Sequence, residues 1–418
     1  MRAVVLLWKD LQSGDKVMTP RENFWRTTAT ARTPRLKSHV RIVFMATLLG
    51  MLSPVAGVCQ VERAPGVGPK PFIGYFRPIP ISGKLSSNVW GAAAVGPRDT
   101  ENGLEDVTMK QWDYWDGSIL RAPDGKYRMF ASRWEQSKGH RGWGDSKAIE
   151  AVSDSAFGPY RDKGLCWPDN EGGKGHNVIA LKLPHGGYAV VVSETRNGDV
   201  FTSRSIDGPW KHLGEITVDQ SAFHSLRNPG DTQPLTGADP KPWHGSNVSL
   251  IVRRDGRFEI VQRSGQILVS SKGILGPYKV EGDSIYRGLT GLPQDHLERL
   301  EDPLLWFSGG WYHIIVNNWG DRRAYHLISR NGITDWKFLG LAFDPGADFI
   351  RYTDGSVNHW NKLERPGVVM EKGHVMAITL AVIDVTKEDE NGNDGHGSKV
   401  IVIPFDGAAM DRDLAKAK

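Results

Sequence analysis

Residues 152–160 read Val152-Ser153-Asp154-Ser155-Ala156-Phe157-Gly158-Pro159-Tyr160, and the phrase returns as Thr202-Ser203-Arg204-Ser205-Ile206-Asp207-Gly208-Pro209-Trp210. A third copy runs from Val269-Ser270-Ser271-Lys272 to Gly276-Pro277-Tyr278, and a fainter one spans Ile328 to Trp336. Each copy is a short strand, a turn and an aromatic that opens the next strand; the first three place Gly-Pro at the turn. A second phrase is interleaved with these. Asp116-Gly117-Ser118-Ile119 stands eight residues before Asp124-Gly125, and Asn247-Val248-Ser249-Leu250 stands eight before Asp255-Gly256. Asn177-Val178-Ile179-Ala180 leads to Gly186-Gly187 in nearly the same register. Glu301-Asp302-Pro303-Leu304 and Glu364-Arg365-Pro366-Gly367 each stand nine before a glycine, Gly310 and Gly373. These are hairpins: an apolar strand, a tight Asp-Gly or Gly-Gly turn, then an alternating strand.

Anchors at 116, 177, 247, 301 and 364 mark five units of roughly sixty residues, each with strand enough for a four-stranded sheet, which is the pattern of propeller blades. The sequence therefore predicts an all-β chain, a five-bladed β-propeller occupying residues 106–410. A two-sheet sandwich leaves the repeat unexplained, and no segment carries a convincing helical period, which disfavours a parallel α/β sheet. Residues 59–105 are expected to form an N-terminal extension that closes the ring, a strand near Phe72–Phe76 pairing with one at Val400–Pro404.

The 418-residue chain carries 52 basic and 48 acidic residues, a net +4 with no basic block, which argues against a nucleic-acid partner. Its two cysteines, Cys59 and Cys166, are too few for a disulfide framework or a four-cysteine zinc site. Residues 1–58 read as a basic leader and signal peptide. Arg32, Arg35, Lys37 and Arg41 precede the apolar run Ile42–Gly57, which ends on small residues, with translation expected to start at Met18 or a later Met. That run is too short for a stable membrane span, so the expected location is secreted or periplasmic. Cys59 completes only an imperfect lipoprotein box, and cleavage near Gly57 without lipid anchoring is preferred.

The innermost strand of every blade points one end at the axis, so matched positions converge on one funnel. Those positions hold Asp116, Asn177, Asn247, Glu301 and Glu364, each leading an apolar strand. Asp and Asn also serve strand entries as turn residues, but turn chemistry does not require a glutamate two residues before proline twice over. Paired carboxylates across a pocket suit glycosidic bond cleavage, which needs one protonated and one ionised acid. Asp116 ends the aromatic run Trp112-Asp113-Tyr114-Trp115-Asp116, with Trp115 as a wall for a sugar ring and Asp113 as the rival carboxylate outside the repeat register. Asp302 beside Glu301 is expected to raise the glutamate's pKa by charge repulsion.

The phrases Asp116-Gly117-Ser118-Ile119 and Glu301-Asp302-Pro303 resemble the Asp-Pro-Ser and Glu-Gly-Pro signatures of glycoside hydrolase family 43, a five-bladed propeller family with relatives such as family 117. The resemblance covers about residues 105–405 as a pattern of anchors. It implies a general base at Asp116, a general acid at Glu301, an inverting mechanism and a carbohydrate substrate. Asn247 stands where the family has a second Asp, and a neutral amide cannot tune a carboxylate by charge; Asp302 or Asp239 are substitutes. Glu364, and by resemblance to family 117 His326 or His359, are further candidate acids, and Arg365 can hold a sugar hydroxyl or carboxylate bidentately. The Asn-Asp-Pro-Asn and Glu-Cys phrases of the fructan-cleaving branch are absent.

Loops supply the remaining candidate substrate contacts: Arg133, His140 and Trp143 after the first hairpin, His176 before the second anchor, and Trp319 after the fourth. The acidic run Lys387–Asp394 reads as a solvated loop, with a structural calcium ion as the only cofactor considered and none required. Two other functions fit the same fold: a carbohydrate-binding propeller whose catalytic set has decayed, and a lyase acting on uronic sugars. No phosphate loop, zinc spacing or nucleophile elbow is present.

Overall fold

The repeated phrases become strands in register. A computed structural model describes residues 69–86, 92–196, 198–219, 243 and 245–417; the leader, the apolar run, Cys59 and Asp239 lie outside the described residues. Blade one is β1 (Trp112–Arg121), β2 (Tyr127–Glu135), β3 (Lys147–Ser153) and β4 (Arg161–Leu165). Blade two is β5 (Val178–Lys182), β6 (Tyr188–Val192), β7 (Asp199–Ser203) and β8 (Lys211–Glu215). Blade three is β9 (Ser249–Val252), β10 (Phe258–Val261), β11 (Ile267–Ser270) and β12 (Lys279–Val280). Blade four is β13 (Leu300–Ser308), β14 (Trp311–Asn318), β15 (Arg323–Ser329) and β16 (Lys337–Phe343), and blade five is β17 (Lys362–Glu371), β18 (His374–Ile383) and β19 (Ser398–Pro404). Every sheet is an antiparallel meander in chain order. The innermost strands β1, β5, β9, β13 and β17 touch in sequence, and β17 returns to β1. The molecule is a five-bladed β-propeller.

The Gly-Pro phrase lies between the third and fourth strands of blades one to three. Its aromatic, Tyr160 or Tyr278, is buried and donates its hydroxyl to the carbonyl four residues earlier, of Ala156 or Ile274, at 2.9 Å in both blades. In blades one and three the phrase thus encodes an outer turn closed on itself by its own aromatic. Between blades the packing is apolar and aromatic; Trp167 stacks on Phe201 with ring centroids 3.7 Å apart. A fully buried side chain of this kind contributes roughly 1.5–3 kcal/mol.

Ring closure differs from the expectation. Blade five has three strands, and Leu104 bridges its outer edge, exchanging backbone hydrogen bonds with Val400 at 2.8 and 3.0 Å. The buried Asn102 side chain extends the pairing by donating to the Val402 carbonyl (2.8 Å) and accepting from its N–H (3.0 Å). Phe72–Tyr75 is a 3₁₀ turn, not a strand, with only Phe76 bridging Phe405. Three residues per turn put Phe72 and Tyr75 on one buried face, which a strand's alternation would not do. The helix α1 (Gly407–Lys416) was also unforeseen: Asp406 caps it by accepting from Ala409 N–H at 2.9 Å, and Met410 and Leu414 bury one face. A single i, i+4 apolar pair is too weak a period to stand out in the sequence. Among the described residues no helix is long and apolar enough to cross a membrane.

Candidate active site

Five non-glycine residues at matched places hold a left-handed backbone: Asp116 (φ 71°), Asn177 (56°), Asn247 (49°), Asp302 (51°) and Arg365 (46°). Asp and Asn tolerate this conformation best, which is why the blades favour them at the strand entry. The structural register is therefore one residue later in blades four and five than the sequence spacing indicated. The cause is turn length. Five residues separate the paired ends of the inner hairpins in blades one to three (Arg121↔Tyr127, Lys182↔Tyr188, Val252↔Phe258), but two in blades four and five (Ser308↔Trp311, Glu371↔His374). Measured back from the turn glycine, the shorter hairpins shift the anchor by one. In blade one the next residue must be glycine: Gly117 has φ 130°, and a Cβ there would lie 2.6 Å from Val400 Cγ1.

The ring of anchors is knitted together. Arg365, buried at 8% exposure, donates from Nε to Asp116 Oδ1 (3.2 Å) and from Nη1 to Asp302 Oδ1 (3.3 Å), and its backbone N–H reaches Asp302 Oδ2 (3.2 Å). Asp116 Oδ2 accepts from the Ser132 hydroxyl and from Val178 N–H at 3.0 Å. Asn177 donates to Asn247 Oδ1 (3.1 Å) and to Glu194 Oε2 (3.2 Å). Asp302 and Arg365 separate two hollows. An apolar one of about 530 Å³ runs along the inner strands and includes Asp116, while a polar one of about 360 Å³ opens on the other side and does not.

The residues just ahead of the anchors shape the polar hollow: Trp115, His176, Glu301 and Glu364 line it together with His140, Arg141, Trp143 and Lys387. Carboxylate oxygens of Glu301, Asp302 and Glu364 lie within 4.8 Å of one another. Their environments pull in opposite directions. Burial, then repulsion from Asp302 and Glu364, raises the pKa of Glu301, with Arg263 at 3.2 Å only partly offsetting this. Burial pushes Glu364 the same way, but the ammonium groups of Lys387, in direct contact, and Lys362, at 3.4 Å, outweigh it and hold Glu364 below its ordinary value. The paired carboxylate in turn raises Lys387 against the opposing effect of burial. Burial lowers His140 to about 3 and His176 to about 4, so both imidazoles are neutral. His176 Nδ1 meets Ser146 Oγ at 3.1 Å, and its ring sits 5.3 Å from that of the half-exposed Trp143. The result is a funnel with an aromatic wall on blade one and a split acid pair opposite.

Of the residues singled out in the sequence, Trp115, His140, Trp143, His176, Asn177, Asn247, Glu301, Asp302, Glu364 and Arg365 gather at this hollow. Four others do not. Arg133 pairs with Asp162 and lies 4.2 Å from the Trp112 ring. Trp319 is 42% exposed beside Arg299. His326 is on β15, away from the axis, buried against Trp306 with Nε2 3.0 Å from His313 Nδ1. His359 contacts Pro345 O and Asp348, each at 3.3 Å. The rival carboxylate Asp113 turns toward Ser398 of blade five. Lys387, Arg263 and Glu194 were missed. Lys387 was concealed in a charge run; Glu194 follows β6 across from Asn177, a place that hairpin pairing of blade two predicts.

The three clustered carboxylates offer hard oxygen donors and can hold a metal ion. The ammonium group of Lys387 on Glu364, and the Arg263 guanidinium on Glu301, supply cationic charge at the same place.

Fold and funnel together define a five-bladed propeller with an acidic axial pocket. No family model matches the chain, and no curated protein matches it in sequence. Among solved structures it is similar to an exo-β-1,3-galactanase from Clostridium thermocellum, at 11% identity and TM-score 0.47 over 73% of this chain and 62% of that one. It is also similar to a family 43 β-xylosidase/α-arabinofuranosidase from a compost metagenome, solved with xylotriose (15%, TM-score 0.43, 70% and 91%). A third is the family 117 glycoside hydrolase Zg3597 of Zobellia galactanivorans (13%, TM-score 0.45, 73% and 88%). The matches span 61% and 59% of the length of two further glycoside hydrolases, the second a family 43 β-1,3-galactosidase.

Proposed function

We propose that the chain is a glycoside hydrolase whose acid is Glu301 and whose ionised partner is Glu364. One observation carries this: the half-buried Glu301 and the buried Glu364, with oxygens within 4.8 Å, are driven apart in pKa, one toward its protonated form and the other toward its ionised form. Oxygens no more than 4.8 Å apart fall short of the about 6.5–9.5 Å that separates inverting pairs and lie nearer the retaining separation of about 5–5.5 Å. Glu301 would give its proton to the glycosidic oxygen as Glu364 attacks the anomeric carbon. The glycosyl ester so formed would then be hydrolysed by water that returns a proton to Glu301. Asp116, the base in the inverting reading, has both oxygens engaged beneath Arg365 and is assigned to positioning that guanidinium. The leader and the apolar run 42–57 support export to the periplasm or beyond.

Binding without turnover is a second reading, favoured by the contact of Lys387 with Glu364, which a nucleophile must shed or share. Reducing-sugar release from a panel of plant and algal oligosaccharides decides between them. Glu301→Gln and Glu364→Gln are expected to lower kcat by about 10²–10⁴ while calorimetric binding persists. Binding by the wild type with no release on any substrate would favour the second reading.

A further inference from the structure

Outside the funnel, the buried carboxylates of Asp113 and Glu390 keep oxygens without a hydrogen-bond partner. Asp113, near the start of β1, is fully buried; its Oδ1 accepts from Ser398 N–H (2.8 Å) and Oγ–H (3.0 Å), and its Oδ2 accepts from nothing. Glu390, on the loop joining β18 to β19, is 2% exposed, and neither of its carboxylate oxygens has a hydrogen-bond partner. The solvated loop expected from the sequence is thus only partly solvated. Glu388, Asp389, Asn391, Asn393 and Asp394 face water, but Glu390 turns in.

No cation stands among the groups acting most strongly on the pair; only Ser398 on Asp113 and the Gly392 N–H on Glu390 pull the other way. The charges acting most strongly on either are carboxylates: Asp384 and Asp394 on Asp113, and Asp113, Asp394 and Asp384 on Glu390. Those two neighbours are themselves satisfied, Asp384 by His396 Nδ1 (2.8 Å) and Gly397 N–H (3.1 Å), Asp394 by the N–H groups of Asn391 (2.9 Å) and His396 (3.0 Å). Burial first, and then these neighbours, push Asp113 up to about 7 and Glu390 up to about 8. Three orphaned carboxylate oxygens, on two buried segments that Gln136 ties together, are a costly arrangement unless a proton or an ion compensates them.

We propose that Asp113 and Glu390 hold a divalent cation that clamps the β18–β19 loop onto blade one. An all-oxygen donor set of this irregular kind suits calcium, with carbonyls and water completing the shell. The same loop is already tied to blade one by Gln136, which donates to His396 O (2.8 Å) and accepts from Asn393 N–H (3.1 Å). It also carries Lys387, which reaches Glu364 and lies 5.2 Å from the Trp115 ring. A cation here would fix the lysine that sets the charge of Glu364, at a site distinct from the clustered Glu301, Asp302 and Glu364. Its existence does not depend on what the funnel does.

Calorimetric titration of the EDTA-stripped full chain with calcium chloride, alongside thermal unfolding with and without calcium, tests the proposal. The expected result is binding below about 1 mM, the weak end of extracellular sites, with a calcium-dependent rise in Tm. Glu390→Gln and Asp113→Asn should weaken binding by about tenfold or more, and Glu301→Gln should leave it unchanged. Stripped Glu390→Gln should melt no lower than stripped wild type, since it exchanges one unpartnered buried polar group for another of the same shape, and this keeps loss of binding separate from misfolding. The proposal is overturned by absence of any calcium effect in the wild type, by binding that survives Glu390→Gln, or by binding that Glu301→Gln abolishes.

Discussion

Replacing Asp116 with Asn separates a positioning role from a chemical one. In the folded chain Asp116 Oδ2 accepts from the Ser132 hydroxyl and Val178 N–H, and Oδ1 accepts from Arg365 Nε. An amide has one acceptor oxygen, so its NH₂ must face either the Val178 N–H or the Arg365 Nε–H, donor against donor. Ser132 can rotate to compensate; the other two cannot. Removing one partner of a buried ion pair costs about 3–5 kcal/mol. Arg365 keeps both of its bonds to Asp302, which places the expected loss near the lower end, about 3 kcal/mol, or roughly a hundredfold in the folding equilibrium. Urea unfolding followed by tryptophan fluorescence reads this as a lower midpoint at unchanged slope. Activity should fall only as far as the funnel floor is disturbed. If Asp116→Asn instead keeps its stability within about 0.5 kcal/mol while kcat drops by about 10³ or more, Asp116 acts on substrate, and Glu364 loses its assignment.

Turnover should have a bell-shaped pH dependence, falling on the basic side as Glu301 loses its proton and on the acid side as Glu364 gains one. Because Glu301 is raised and Glu364 lowered, the window should be wider than two ordinary glutamates near about 4.3 would give. Lys387→Met removes the cation that holds Glu364 down and that also moderates Glu301. Both limbs should move up, the acid limb more because Lys387 touches Glu364 directly, and a pH–rate profile measures it. His326→Gln and His359→Ala should leave kcat within about twofold of wild type, since neither ring lines the funnel; the buried His326 should still cost about 1–3 kcal/mol of stability. Asn102→Ala removes two buried bonds to Val402 at the closing edge of blade five and should cost about 2–3 kcal/mol in denaturant unfolding.

The blades were legible because the outer turn phrase and the inner hairpin phrase each repeat: a buried aromatic, which in blades one and three bonds back to its own turn, and in blades one to four an Asp or Asn at a left-handed strand entry. The exact register was not. Spacing from the turn glycine misplaced the anchors of blades four and five by one residue, because a two-residue turn and a five-residue turn look alike in sequence. That error had a useful side. It singled out Glu301 and Glu364, which precede the anchors and line the polar hollow, while Asp302 and Arg365 turned out to build its floor. Lys387 was unreadable because its partner, Glu364, is far away in sequence and its neighbours are charged. His326 and His359 misled for the opposite reason: a histidine on a strand says nothing about which strand from the axis it occupies.

The stereochemistry of the first-formed product tests the central assignment most directly. Proton NMR of a glycoside turned over by the wild type resolves the hemiacetal anomer before mutarotation. Attack by Glu364 across a gap of under 5 Å from Glu301 predicts retention of configuration; an inverted anomer would contradict it and return the second catalytic role to Asp116.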